Sequence, residues 1–183
     1  MENNPEKKMK SRGELHKIFV ILFFNIVFGL DEAVVVVYLR EMLQRGKTDF
    51  FMHLLALGQH AELFSLGIIA FLTPQSFAGW ANYNIEQLRE VGTMVMLLAL
   101  GYVAGRNLKE KAAYFFLSFG VWDIFYYIWL YILIGWPKSL SDLDILFLLP
   151  VPWVAPVVLP VFISLFMVII SIYYLKKATD ITE

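Results

Sequence analysis

The chain contains no cysteine among its 183 residues, and this absence excludes several classes of protein. Disulfide-stapled secreted domains, thiolate zinc sites, iron–sulfur clusters and cysteine nucleophiles all need the missing side chain. Charge is scarce as well: Asp, Glu, Lys and Arg make up 17% of the residues, against about 25% in soluble domains. The net charge of -1 provides no overall basic field, so we expect no nucleic-acid partner.

Apolar residues are abundant. Hydrophobic side chains account for 59% of the chain and the mean hydropathy is +0.64, whereas soluble domains lie near half apolar. Because a helix satisfies its own backbone hydrogen bonds in lipid, the composition predicts an all-α, polytopic transmembrane helix bundle. The lipid bilayer is then its main partner.

Four apolar runs predict membrane crossings, at 18–39, 87–105, 111–135 and 157–175. A basic segment, 1–17, precedes them and a tail, 176–183, follows. Prolines interrupt the region before the last crossing, at Pro150, Pro152, Pro156 and Pro160. Each proline removes a backbone donor, so we expect a proline-broken last span: a short entering segment at 145–149, a break, and then a full helix. The alternative is a plain interfacial loop before that helix.

The stretch 50–72 is ambiguous, because it is long enough to span but contains His53, His60 and Glu62. If it does not span, ten Lys and Arg residues lie on the cytoplasmic side and five outside; if it spans, the division is eight to seven. The positive-inside rule favours the first arrangement. We therefore expect four crossings with both termini in the cytoplasm and 50–72 re-entrant or interfacial, with a fifth span as the alternative.

Acidic residues inside the apolar runs need a physical reason, because a charge at the centre of a membrane helix costs at least ~2.5 kcal/mol. In the four-crossing topology they gather towards the outer side of the membrane. Glu86, Glu90 and Thr93 are spaced i, i+4, i+7 and share one helix face. Tyr126 and Tyr127 follow Asp123 by one turn, which predicts a phenol beside that carboxylate. The acids are Glu32, Glu62, Glu90, Asp123 and Asp144, and Glu86 lies with Glu90 at the outer start of its helix.

One interpretation of these acids is structural. Glu32 would pair with Arg40 near the membrane boundary, and Glu90 would pair with an arginine of another helix. Asp123 would be protonated or would accept a hydrogen bond from Tyr127.

The other interpretation is a divalent metal site for iron, zinc or manganese, since carboxylates on separate helices bind such ions in helix bundles. Glu32, Glu90 and Asp123 would be ligands, completed by Glu86, Asp144 or His60. Tyr127 would orient a carboxylate or donate to a lipid-soluble or interfacial substrate. Arg40 or Arg89 would hold an anionic head group. The motif Glu-x-x-His, common at di-iron sites, does not occur.

Three strings resemble a family of small, uncharacterised polytopic membrane proteins of prokaryotes: Arg89-Glu-Val-Gly-Thr93, Val121-Trp-Asp-Ile-Phe-Tyr-Tyr127, and the segment from Gly135-Trp-Pro to Pro-Trp-Val-Ala-Pro156. The family has small residues after the Arg-Glu pair, where this chain has Val91 and Gly92. The resemblance implies a prokaryotic plasma-membrane protein and supports the choice of Glu32, Glu90, Asp123 and Asp144, but it implies no activity.

Three functions follow as hypotheses. The leading one is a metal-binding membrane protein, which could be an enzyme. The alternatives are a proton- or cation-coupled transporter or channel and a non-catalytic membrane subunit. The Gly101-x-x-x-Gly105 spacing predicts close helix packing and allows a homo-oligomer.

Overall fold

A computed structural model describes residues 5–45, 64–66, 69–71, 83–150 and 152–181. Within these residues there are four helices: α1 (Pro5–Arg45), α2 (Tyr83–Ala104), α3 (Leu108–Ile134) and α4 (Val158–Ile181). The same residues form four short strands: β1 (Phe64–Leu66), β2 (Ile69–Phe71), β3 (Leu143–Phe147) and β4 (Trp153–Pro156). The fold is therefore mostly helical, as predicted, but not all-α.

Three helices in the described part of the chain are long and apolar enough to cross a membrane: Arg12–Glu41, Leu108–Ile134 and Val158–Ala178. This finding is consistent with an integral membrane protein. The helix α2 is not among the three, since its first turns carry Glu86, Arg89 and Glu90. A crossing by α2 stays a prediction.

Local sequence signals set the end of α2 and both ends of α3, and the connection between these helices is short. The backbone N–H of Gly105 donates to the carbonyl of Gly101, closing the last turn of α2. Asn107 caps α3, its side-chain oxygen accepting from the N–H of Glu110 at 3.0 Å. Gly135, with φ of 67°, ends α3 in the left-handed region that glycine adopts readily.

The helix α3 lies at the centre of the bundle and packs against α1, α2 and α4. Ile21 of α1, Tyr114 of α3 and Leu175 of α4 belong to one buried cluster. Lys17 donates to the carbonyl of Ala104 at 3.1 Å, which places the end of α2 there as well. We call this the terminal end of the bundle. The opposite end, which carries the strands, is the sheet end.

Two glycines let helices approach α3 closely. A Cβ on Gly101 would lie 2.8 Å from the carbonyl oxygen of Lys111, and one on Gly29 would lie 2.9 Å from that of Trp122. The predicted packing role of Gly101 is confirmed, and the partner is α3 of the same chain.

The strands form one antiparallel sheet in the order β1-β2-β4-β3. Asp144 of β3 lies opposite Ala155 of β4, and the register shifts between Ile145 and Phe147. The expected entering segment at 145–149 is therefore not the beginning of the last span: most of it is strand, and the final helix begins at Val158. Proline lacks the N–H that a helix needs, so the segment containing Pro150 and Pro152 stays outside α4.

Within 50–72 the structure describes only the six residues of β1 and β2, which pair as adjacent antiparallel strands. His53, His60 and Glu62 lie outside the described residues, so their predicted roles stay predictions.

Candidate functional site

A cavity of about 260 Å³ lies at the sheet end, between the helices and β3. Its lining combines apolar side chains with most of the residues that the sequence analysis predicted as site residues. Eight of the nine predicted site residues line it; the ninth, His60, is not described. The eight are Glu32, Arg40, Glu86, Arg89, Glu90, Asp123, Tyr127 and Asp144.

Arg89 bridges two carboxylates on different helices. Its Nη1 donates to Glu32 of α1 at 2.6 Å, and its Nε donates to Glu86, one turn earlier in α2, at 2.9 Å. Its Nη2 also donates to Glu86. The planar guanidinium presents several donors in one fork, which suits this bridging. Glu32 and Glu86 are 8% and 7% exposed, so the pairs are largely shielded from water.

Arg40 lies beside a third carboxylate, that of Asp144 on β3. The Nη2 atom of Arg40 lies 3.6 Å from Oδ1 of Asp144, and its guanidinium stacks 3.9 Å above the ring of Trp136. The hydroxyl of Tyr127 donates to Oδ2 of Asp144 at 3.0 Å. Burial raises the pKa of Asp144 to about 6, even though Arg40 and Tyr127 both favour the ionised form.

Glu90 and Asp123 have weaker partners. Both oxygens of Glu90 accept from the backbone N–H of Leu148 at 3.0 Å. Asp123 accepts from the hydroxyl of Ser164 on α4 at 2.7 Å. Each carboxylate is 8% exposed. Neither makes an ion pair in the described structure, where the arginines of the cavity bond to Glu32, Glu86 and Asp144.

The charges that line the cavity are therefore unbalanced. Among the described lining residues, five carboxylates face the two guanidiniums of Arg40 and Arg89. Full ionisation would leave three negative charges uncompensated in a buried site. Such a site holds its charge only by sharing protons or by binding a cation.

Aromatic side chains form much of the remaining wall. Phe119 and Trp122 of α3 pack against Phe147 of β3, with ring centroids between 5.5 and 6.5 Å apart. Trp153, Tyr126 and Tyr127 also line the cavity. A ligand here would meet both aromatic faces and carboxylates.

Three expected pairings differ in the structure. Glu32 pairs with Arg89 rather than Arg40, while Arg40 pairs with Asp144. Tyr127 donates to Asp144 of β3 rather than to Asp123, which accepts from Ser164 instead. Glu90 accepts from a backbone N–H rather than from an arginine.

The described residues contain no group of three or more His, Asp and Glu side chains that could hold a metal ion. The carboxylates instead form ion pairs with arginines or accept hydrogen bonds from a serine hydroxyl and a backbone amide. The predicted iron, zinc or manganese site stays a prediction, and the described geometry lends it no support.

Sequence reasoning missed two partners in the cavity. Ser164 carries no spacing signal, because its neighbour Asp123 lies on another helix. The donor to Glu90 is the backbone amide of Leu148, and a pattern of side chains does not predict a backbone donor. By contrast, the shared face of Glu86, Glu90 and Thr93 is confirmed, as all three are buried and line the cavity.

Comparisons with protein-family models, curated proteins and solved structures find no match to this chain. The fold and the site thus define a helical protein with membrane-length helices and a carboxylate-rich cavity at one end. The resemblance to a prokaryotic membrane family stays a prediction.

Proposed function

We propose that the protein is a four-span integral membrane protein that binds a small organic cation in its sheet-end cavity and exchanges it for protons. The sheet end would face outwards and both termini would lie in the cytoplasm, as the distribution of Lys and Arg favours. The resemblance of its motifs to prokaryotic membrane proteins supports a plasma-membrane location.

The observation that carries this proposal is that, among the described lining residues, five buried carboxylates face two guanidiniums. Ionised groups away from water are costly unless an opposite charge compensates them. Protons would balance these carboxylates until a cation binds and displaces them. Glu90 and Asp123 are the acids for this exchange, because no basic side chain bonds to either in the described structure.

The lining favours an organic cation over a metal ion. A metal ion needs several ligand atoms that converge at short distance, and no such group is described. An alkylammonium ion needs a carboxylate and aromatic faces, which attract it through their ring quadrupoles. Asp123 and the Phe119–Trp122–Phe147 wall supply both. The volume of about 260 Å³ lies near the lower limit of small-molecule sites.

The arginines argue against an anionic ligand. Arg89 is already bonded to Glu32 and Glu86, and Arg40 lies against Asp144 and Trp136. An anionic head group would have to displace these carboxylates and would add to the negative charge.

The experiment measures binding in mild detergent by calorimetry and by thermal shift. Tetramethylammonium and benzyltrimethylammonium are the probes, and neopentylbenzene is the uncharged control of similar shape. Binding should raise the melting temperature and release protons, seen as a dependence of the heat on the buffer. Asp123→Asn should weaken binding by about tenfold or more, equivalent to ~1.4 kcal/mol.

Glu110→Gln is the matched control, because Glu110 is buried on the same helix but lies at the terminal end. It should bind as the wild type does. Equal effects of the charged and uncharged probes would contradict the proposal. So would one or two equivalents of iron, zinc or manganese that are lost in Glu90→Ala, a result that would restore the metal hypothesis.

A further inference from the structure

In the described part of the chain, Oδ1 of Asn25 in α1, Oγ of Ser118 in α3 and Nε1 of Trp122 in α3 are buried and have no hydrogen-bond partner. The side chains of Asn25 and Ser118 are fully buried, and Trp122 is 5% exposed. Folded proteins rarely leave such atoms unpaired, and ordered water is the usual partner where protein offers none. The three atoms therefore indicate water inside the helical bundle.

Their hydrogen-bonding types are complementary. Nδ2 of Asn25 donates to the carbonyl of Ile21 at 2.7 Å, which leaves its Oδ1 as an acceptor. Trp122 offers only a donor, and the Ser118 hydroxyl is both donor and acceptor. Water molecules, which donate and accept, can satisfy all three.

The positions of these residues form a line along α3. Tyr114, Ser118, Trp122 and Tyr126 follow one another at four-residue spacing, so each lies beside the next in a row that winds by about 120° around α3. Ile21 of α1 belongs to the cluster around Tyr114, and Gly29 of α1 lies against the backbone of Trp122 and Tyr126. The two helices therefore run in the same direction. Asn25, one turn before Gly29, is level with Ser118.

Each end of this line reaches a titratable group. At the terminal end the hydroxyl of Tyr114 donates to Glu14 at 3.1 Å. At the sheet end Tyr126 lines the cavity beside Asp144. A step of four residues rises about 6 Å, and two hydrogen bonds of about 2.8 Å through one water cover nearly that distance.

We propose that a water-bridged proton path runs along the contact between α1 and α3, from Glu14 to the cavity. A proton leaves a protonated carboxyl group of the cavity for the adjacent oxygen, and each hydroxyl or water passes on one proton, towards the Glu14 carboxylate, as it receives another. One proton then reaches a carboxylate at the other end, with no net change in the relay groups. Asn25 and Trp122 hold the water in position.

The path deepens the proposed function, on which it rests for the source of the exchanged protons. It would connect the cavity with the opposite end of the bundle, so that cation binding at one face could exchange protons with the other. Proton conduction and cation binding are separate measurements, so either proposal can fail alone.

The test uses the full-length protein in liposomes that contain the pH dye pyranine. Valinomycin and a potassium gradient impose a membrane potential, with and without benzyltrimethylammonium. The wild type should conduct protons in at least one of these conditions. Ser118→Ala and Asn25→Leu should each lower the initial rate about tenfold, as a rise of ~1.4 kcal/mol in the barrier would.

Ser171→Ala is the matched control, a buried serine on α4 outside the line. It should conduct as the wild type does. Ser118→Ala removes one oxygen and adds no volume, so we expect it to fold. It therefore tests the path even if Asn25→Leu fails to fold. Both variants should keep their affinity for benzyltrimethylammonium.

Two results would overturn the path: no proton flux in the wild type under either condition, or unchanged flux in both variants. A loss of flux in Ser171→Ala equal to that in Ser118→Ala would also overturn it, because the effect would then be general. Flux that depends on Ser118, together with no cation binding, would support the path and reject the proposed function.

Discussion

Arg89 of α2 donates to Glu32 of α1 at 2.6 Å across the cavity, although 57 positions separate the two residues. The helix α3 lies at the centre of the bundle, so this ion pair joins two helices that both pack on α3. The side chain of Arg89 is 26% exposed and that of Glu32 is 10% exposed. The bridge thus ties the first helix to the second at the edge of the site.

Substituting Arg89 by leucine should destabilise the protein, because Glu32 and Glu86 would both lose their basic partner in a buried place. We expect the free energy of unfolding to fall by about 3 kcal/mol, within the range for a broken buried ion pair. Denaturation in mild detergent measures it. Arg106→Leu is the control: its guanidinium, 52% exposed, pairs with Glu14, and we expect a loss below about 1 kcal/mol. Equal losses of unfolding free energy in the two variants would show that the Arg89 bridge stabilises the protein no more than the exposed pair of Arg106 does.

Two glycines of α2 should respond oppositely to alanine. Gly101→Ala would place a Cβ 2.8 Å from the carbonyl of Lys111 and should destabilise the protein by about 1–3 kcal/mol. Gly92→Ala has no atom within 4 Å of the new Cβ and should stabilise the helix by about 0.5–1 kcal/mol. Melting temperatures of both variants test the contrast. A Gly101→Ala protein as stable as the wild type would contradict the close contact of α2 with α3.

The stability that depends on Asp144 should change with pH. Its pKa rises from 3.8 in the unfolded chain to about 6 in the folded protein, so the folded state binds more protons between those values. The contribution of Asp144 to the free energy of unfolding therefore falls as pH rises from about 4 to about 6, by roughly 3 kcal/mol at most. The comparison is with Asp144→Asn, which lacks the titration: wild type minus variant should decline across this interval. A difference between wild type and variant that stays constant across this interval would contradict the raised pKa of Asp144.

The absence of cysteine makes the topology directly testable by single-cysteine labelling in sealed membranes. Asn84→Cys and Ser139→Cys lie at the sheet end and should react with an impermeant maleimide from outside. Lys109→Cys lies at the terminal end and should react only after the membrane is opened. All three positions are exposed. Labelling of Asn84→Cys and Lys109→Cys from the same side would show that α2 does not cross.

Local sequence patterns were enough to predict the helical character and most of the candidate site. Long apolar runs need a helix in lipid, whatever the surrounding fold, and α1, α3 and α4 follow three of those runs closely. Acidic residues within them stood out because their burial is costly, and helical spacing placed Glu86 and Glu90 on one face. These inferences depend only on local periodicity and on the energy of charge transfer.

The hydrogen-bond and ion-pair partners of these residues depend on how the helices and strands pack together. Arg89 bonds to Glu32, and Ser164 bonds to Asp123, across separate helices. These contacts depend on how the helices are rotated and shifted relative to one another, and the local residue pattern of each helix does not predict this. The apolar residues and prolines of 145–156 predict a proline-broken last span, with an interfacial loop as the alternative, yet β3 and β4 pair with each other and β4 also pairs with the distant β2. The periodicity of a segment can be read from its own residues, whereas a hydrogen bond between two segments depends on how they pack. It is the packing of these segments that brings the acids together around one cavity.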